Sequence, residues 1–341
     1  MKKLLTGTAV TTGVAALSVA GLLARRYLAL RDAIAAVPPA MRSSLVLLSV
    51  ENNARTLPYN RLINGRIPTP VGPGVTTSTR QAGNPAVPML IVTPAGTART
   101  RPGVLYIHGG GAVFGSAKAE AIVAGRWARD LDAVVVSPDY RLAPENPFPA
   151  GLDDCMTALH WMHDNAEELG IDPQRLAVTG TSAGAGLSAV IAQRAHDEGL
   201  ALRAQALVGP WLDDRTTFGD YGIGALPARG RLQLTPGTNL FAWTSYLGHA
   251  PRADDDRPYI AAARRTDLSG LAPAWVGVGE LDLLYDESVD YAHRLQADGV
   301  NCELVTVPGM YHSAEGLAPH APEIQAFLGS ATEFLRTHLD S

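Results

Sequence analysis

The chain has 341 residues, 46% of them hydrophobic and 18% charged, with a formal net charge of −5. That is enough apolar material for one large buried core, and it excludes a disordered chain. There is no basic excess or basic stripe to call for nucleic acid, and two cysteines are too few for a disulfide scaffold or a zinc cluster.

Lys2 and Lys3 precede a moderately apolar stretch from Leu4 to Ala24, closed by Arg25 and Arg26. Its length approaches the ~20 residues that span a bilayer, while Ser18-Val19-Ala20 offers a small-residue cleavage site. A signal-anchor or signal peptide is therefore expected over 1–30, read first as an uncleaved anchor. A cleaved export signal and a soluble amphipathic cap helix are the alternatives. Either of the first two readings puts the chain at a membrane or outside the cytoplasm.

Beyond residue 75 the pattern alternates. Strands are expected between Val75 and Arg80 and at Met89–Val92 and Val104–Ile107, then a helix at Ala117–Asp130 and a strand at Ala133–Ser137. A helix at Gly151–Glu168 leads to a strand at Leu176–Thr179, a helix at Ala183–His196 and a strand at Ala204–Val208. After a long break the order resumes with strand Ala274–Val278, helix Asp286–Asp298, strand Glu303–Val307 and helix Ala321–Leu335. Alternation of this kind predicts an α/β fold: a mostly parallel eight-stranded sheet with right-handed crossovers and helices on both faces.

Gly180-Thr181-Ser182-Ala183-Gly184 falls where a strand turns sharply into a helix. A serine on such a turn has strained backbone angles and projects its hydroxyl from the carboxyl edge of the sheet, which makes Ser182 a candidate nucleophile. The run His108-Gly109-Gly110-Gly111 follows the Val104–Ile107 strand and has almost no side chains. Backbone N–H groups of Gly109, Gly110 and Gly111, with that of Ala183, can converge there on an oxyanion. His108 is expected to anchor the loop rather than to titrate. A phosphate cradle is the competing reading, but the Gly-Lys-Ser/Thr ending is missing.

Asp282 lies in the loop leaving the Ala274–Val278 strand, and His312 in the loop leaving Glu303–Val307. Both loops open on the edge that carries the serine, so His312 is the expected base and Asp282 its orienting acid. Glu280 and Asp286 are the rival acids, and His320 the rival base. No pair of the nine histidines has a metal spacing. No cofactor or metal is expected, and the two cysteines, Cys155 and Cys302, are expected as free thiols.

Together these segments resemble the hormone-sensitive-lipase-like, arylacetamide-deacetylase-related esterases of the α/β-hydrolase superfamily. The resemblance rests on His108-Gly109-Gly110-Gly111 with Phe114-Gly115-Ser116, on Asp139 to Glu145 with Phe148-Pro149-Ala150, on the Ser182 turn, and on Asp282 to Glu287. It spans roughly residues 85 to 338 and implies a Ser182–Asp282–His312 triad with an acyl-enzyme intermediate. It further implies an N-terminal cap segment at 31–75 and a catalytic domain at 76–341 with a cap insertion at about 209–269, where Trp211, Phe241, Trp243 and Tyr246 are candidates to line an acyl pocket. The expected activity is a serine carboxylesterase on short- to medium-chain uncharged esters. Amide deacetylation or lipid hydrolysis by the same triad is the first alternative, and a noncatalytic small-molecule receptor the distant one; a homodimer is compatible with all three. Departures from the family pattern are Thr181 in place of an acid, Ala185 in place of a second glycine, Leu283 and Tyr285 within the usual Asp-Pro-Leu-Arg run, and Ser313 after the base.

Overall fold

The computed structural model describes residues 20–65, 67–96, 100–218 and 226–340. Eight strands form one sheet: β1 (Val75–Ala82), β2 (Val87–Pro94), β3 (Arg101–Ile107), β4 (Val134–Pro138), β5 (Ile171–Thr181), β6 (Ala204–Val208), β7 (Ala274–Gly279) and β8 (Cys302–Val307). Their order across it is β1-β2-β4-β3-β5-β6-β7-β8. β1 and β2 pair antiparallel, as do β2 and β4, and every later pairing is parallel. The eight expected strands are all present.

Burial follows position in the sheet. β3, β4, β6 and β7 are buried along their whole length, as central strands covered on both faces must be, whereas the edge strand β1 is mostly exposed. Side chains of β3 alternate between two cores: Leu105 and Ile107 enter one, Val104 and Tyr106 the other. The first core is closed by α4 (Ala150–Asp164), α6 (Ala183–Asp197) and α8 (Tyr285–Ala297) through Met156, Ile191 and Leu295. The second is closed by α3 (Ala121–Leu131) and α10 (Pro322–Leu339) through Trp127 and Phe327.

Three helices begin or end differently from the pattern, α10 by running on to Leu339 past the expected Leu335. α3 starts at Ala121 because residues 116–120 are taken up by turns, pinned where Ala117 N donates to Asp139 Oδ1 at 2.6 Å. The long helix expected from Gly151 breaks at Asn165, whose side chain donates to Trp161 O at 2.8 Å, and a short α5 (Ala166–Leu169) follows.

Within the long break between β6 and β7, the described residues contain a helix, α7 (Pro236–Leu247), that the sequence pattern did not reveal. The N-terminal segment contains another, α2 (Leu57–Gly65), after the helical residues 20–36, called α1. The two regions meet: Asn52 N donates to Thr238 Oγ1 at 3.1 Å, Gln233 Nε2 to Ser49 Oγ at 2.6 Å and Thr235 Oγ1 to Glu51 Oε1 at 2.8 Å. Most of the apolar stretch Leu4 to Ala24, with the first two residues of the Ser18-Val19-Ala20 site, lies outside the described residues. Among the described residues no helix is long and apolar enough to cross a membrane.

Candidate active site

Ser182 occupies the turn between β5 and α6 with φ 54° and ψ −120°, a left-handed conformation that non-glycine residues rarely adopt. The turn is held by Ser182 N donating to Val208 O at 2.9 Å, and by Ser182 O accepting from Gly186 N at 3.0 Å and Trp211 N at 3.2 Å. Strand and helix approach so closely that a Cβ at Gly184 would lie 2.0 Å from Ile107 O. Only glycine fits there.

His312 and Asp282 arrive from the exits of β8 and β7. Ser182 Oγ donates to His312 Nε2 at 2.9 Å, and His312 Nδ1 donates to Asp282 Oδ2 at 2.7 Å. The other carboxylate oxygen of Asp282 accepts Leu284 N at 2.9 Å, which fixes the acid's rotamer. Asp282 is 2% exposed and His312 7%, so the chain of proton acceptors is sheltered while the serine faces a cavity. Burial works against a charged His312, but the Asp282 carboxylate and the nearby Glu315 outweigh this and hold the imidazole pKa above its ordinary value.

The rival residues are elsewhere. Asp286 is paired with Arg229 at 2.9 Å, Glu280 offers its backbone carbonyl to the same arginine, and His320 is exposed ahead of α10. Ser313, the departure after the base, adopts a left-handed φ of 59° as the N-cap of a short helix, α9 (Ala314–Leu317). His108 stacks on Tyr140 with ring centroids 4.3 Å apart, and Tyr140 Oη donates to His108 O at 3.0 Å. The loop anchor expected from the sequence is therefore in place.

The glycine loop corrects one expectation. Among the described residues the N–H groups of Gly110, Gly111 and Ala183 have no hydrogen-bond partner, so all three are free to serve an oxyanion. Gly109 N is not free: it donates to Glu120 Oε1 at 3.1 Å. Gly109 belongs to the loop's anchorage and not to its donor set. Glu120 was invisible as a functional residue in the sequence, because it precedes an ordinary helix and belongs to no motif.

Ser182, His312, Gly110 and Gly111 open on a cavity of about 730 Å³. Its apolar wall combines Leu45, Leu48, Val50, Tyr59 and Ile63 of the N-terminal segment with Val113, Trp211 and Leu317 from the rest of the chain. Of the four aromatics expected to line an acyl pocket, only Trp211 does. Trp243 and Tyr246 face inward from α7, Trp243 stacking on Trp211 at 3.5 Å between centroids, and Phe241 packs beside Leu57 and Val113. The face of α7 turned to the cavity is the one bearing Thr238 and Ala242.

A strained serine between strand and helix, a buried imidazole and carboxylate in line behind it, and free backbone donors in front define a serine hydrolase on an α/β-hydrolase scaffold. A family profile described as alpha/beta hydrolase fold matches residues 104–315. The chain is 36% identical over 255 residues to the carboxylesterase NlhH of Mycobacterium tuberculosis, covering 74% of this chain and 79% of the relative. It is 33% identical over 241 residues to the ethyl acetate hydrolase of Pseudomonas putida, covering 69% and 73%. A solved bacterial heroin esterase superposes with a TM-score of 0.81 at 34% identity, covering 90% of this chain and 99% of that one. The protein belongs to the hormone-sensitive-lipase-like branch of the α/β-hydrolase family and is a carboxylic ester hydrolase.

Proposed function

We propose that the protein hydrolyses uncharged carboxylic esters with short to medium acyl chains, with Ser182 as nucleophile, His312 as general base and acid, and Asp282 as the orienting acid. His312 Nε2 takes the serine proton as Oγ attacks the ester carbonyl. The developing oxyanion is received by the N–H groups of Gly110, Gly111 and Ala183. Collapse of the tetrahedral adduct expels the alcohol, which takes the proton from His312, and leaves an acyl-serine. Water, deprotonated by the same imidazole, then releases the acid. The observation that carries this reading is the unbroken hydrogen-bonded line from Ser182 Oγ to Asp282 Oδ2, opening on a cavity with an apolar wall.

The chain-length preference is supported by the cavity's size, within the range of small-molecule sites and walled chiefly by aliphatic side chains. The test is hydrolysis of p-nitrophenyl esters from acetate to palmitate, with fluorophosphonate labelling in parallel. Wild type is expected to be labelled and to prefer the shorter esters, and Ser182→Ala to lose both activities. Labelling that persists in Ser182→Ala would overturn the assignment, and a preference for palmitate would overturn the substrate class. The stretch from Leu4 to Ala24, with basic residues on both flanks, is proposed as an uncleaved membrane anchor.

A further inference from the structure

Glu120 is the N-cap residue of α3, a position where a carboxylate commonly accepts its own helix's N–H groups, yet its side chain makes no such bond. It turns instead towards the back of the active site. Oε1 accepts Gly109 N at 3.1 Å, and Oε2 accepts Tyr106 Oη and, at 3.4 Å, Thr181 Oγ1. Those three donors belong to the end of β3, to the glycine loop that follows it, and to the residue immediately before the nucleophile. One carboxylate thus ties the loop carrying the oxyanion donors to the turn carrying Ser182.

Resting on the esterase reading above, we propose that Glu120 is a positioning residue for the oxyanion hole. Gly109 is the residue before Gly110, so fixing its N–H fixes the peptide plane from which the donor loop continues. The loop has few side chains of its own with which to resist rotation. Gly110 has φ 108°, a conformation that glycine enters freely and leaves as freely, so the orientation of its N–H must be imposed from outside. Tyr106 is fully buried and sits on a central strand, which gives the carboxylate a rigid support. The hydrogen-bonding role and the charge of Glu120 act in opposite senses. Its acceptor oxygens order the loop, while a negative charge near a developing oxyanion opposes the reaction, so the catalytic benefit lies in acceptance rather than in charge.

That division gives a test that a merely structural residue would not pass. On p-nitrophenyl butyrate, Glu120→Ala is expected to lose about 10²-fold in kcat, the scale of one lost oxyanion donor, with KM changed by less than about threefold. Glu120→Gln keeps an oxygen to accept Gly109 N and removes the charge, and is expected to recover at least about tenfold of that loss. Inhibition by an alkyl trifluoromethyl ketone, whose adduct with Ser182 places an oxyanion in the hole, should weaken in step with kcat/KM across the series. Should Glu120→Ala not fold, Tyr106→Phe removes only the hydroxyl that locks the carboxylate and is expected to lower kcat about tenfold at unchanged KM. A folded Glu120→Ala with wild-type kcat, a Glu120→Gln as impaired as the alanine variant, or a Tyr106→Phe with wild-type kcat would each overturn the proposal. Wild-type turnover is measured alongside. An inert wild type overturns the esterase reading and this inference with it, whereas an active wild type indifferent to Glu120 counts against the inference alone.

Discussion

At the scale of single residues, the site turns on how buried charges are set against one another. Burial by itself disfavours the His312 imidazolium; Asp282, in contact, and Glu315, on the cavity wall, reverse that and leave the pKa above the ordinary value. Glu315 is in turn pushed above the usual carboxylate range by its own burial, an effect that the neighbouring His312 only partly offsets. His312 must be neutral to take the serine proton, so activity is lost as pH falls through its raised pKa. The acid limb of the kcat/KM profile is therefore expected above about pH 6.5, the value for a free imidazole. Glu315→Gln removes one of the groups favouring the imidazolium and should move that limb to lower pH. Asp282→Asn should move it further and cut kcat by about 10⁴-fold. A pH–rate profile with p-nitrophenyl butyrate checks all three, and an unshifted Glu315→Gln limb would show that this second carboxylate does not act on the base.

At the scale of elements, the catalytic turn is held by close backbone approaches that leave no room for side chains. The methyl carbon of Gly184→Ala would meet Ile107 O at 2.0 Å and His108 O at 2.5 Å, backbone atoms of the last residue of β3 and the first of the glycine loop. Neither can move without displacing the oxyanion donors. Gly184→Ala is therefore expected to cost at least about 1–3 kcal/mol, the range for overpacking, and to lose most of its activity even where it folds. Urea unfolding and p-nitrophenyl butyrate turnover read the two effects separately, and a variant matching wild type in both would refute the packing argument. The same spacing explains what was legible in the sequence. Ser182, Asp282 and His312 each follow a strand with clear β patterning, so a serine turn, an acid and a histidine at strand exits sufficed to place them on one edge. Glu120 and Glu315 lie on helix starts with no distinguishing pattern; Glu120 reaches the site only through the fold, and Glu315, three residues after His312, belongs to no motif that marks it. α7 was hidden for a related reason: its apolar residues Trp243 and Tyr246 face inward while Ala242 and Thr238 face a cavity, so no simple exposed-face periodicity marks it.

At the scale of the whole molecule, the N-terminal segment divides into a part that the hydrolase core needs and a part that it does not. Ala33, Val37 and Met41 are buried against the face of the sheet covered by α3 and α10, whereas Leu22 and Leu28 are 67% and 61% exposed. Met41 O also accepts Tyr311 Oη at 3.3 Å, one residue before the base, and the residues that follow Met41 supply the cavity wall from Leu45 to Ile63. The boundary between exposed and packed residues therefore falls within α1 rather than at its end, a division that composition alone does not mark because apolar residues occur on both sides of it. Removing residues 1–24 is expected to leave the urea midpoint and kcat/KM near wild type and to release the protein from carbonate-washed membranes. Removing residues 1–41 should also release it, but at a cost that includes about 1.5–3 kcal/mol each for Val37 and Met41, and with His312 less firmly held. Retention of the shorter truncation in the membrane would refute the anchor, and wild-type stability in the longer one would refute the packing role of Val37 and Met41.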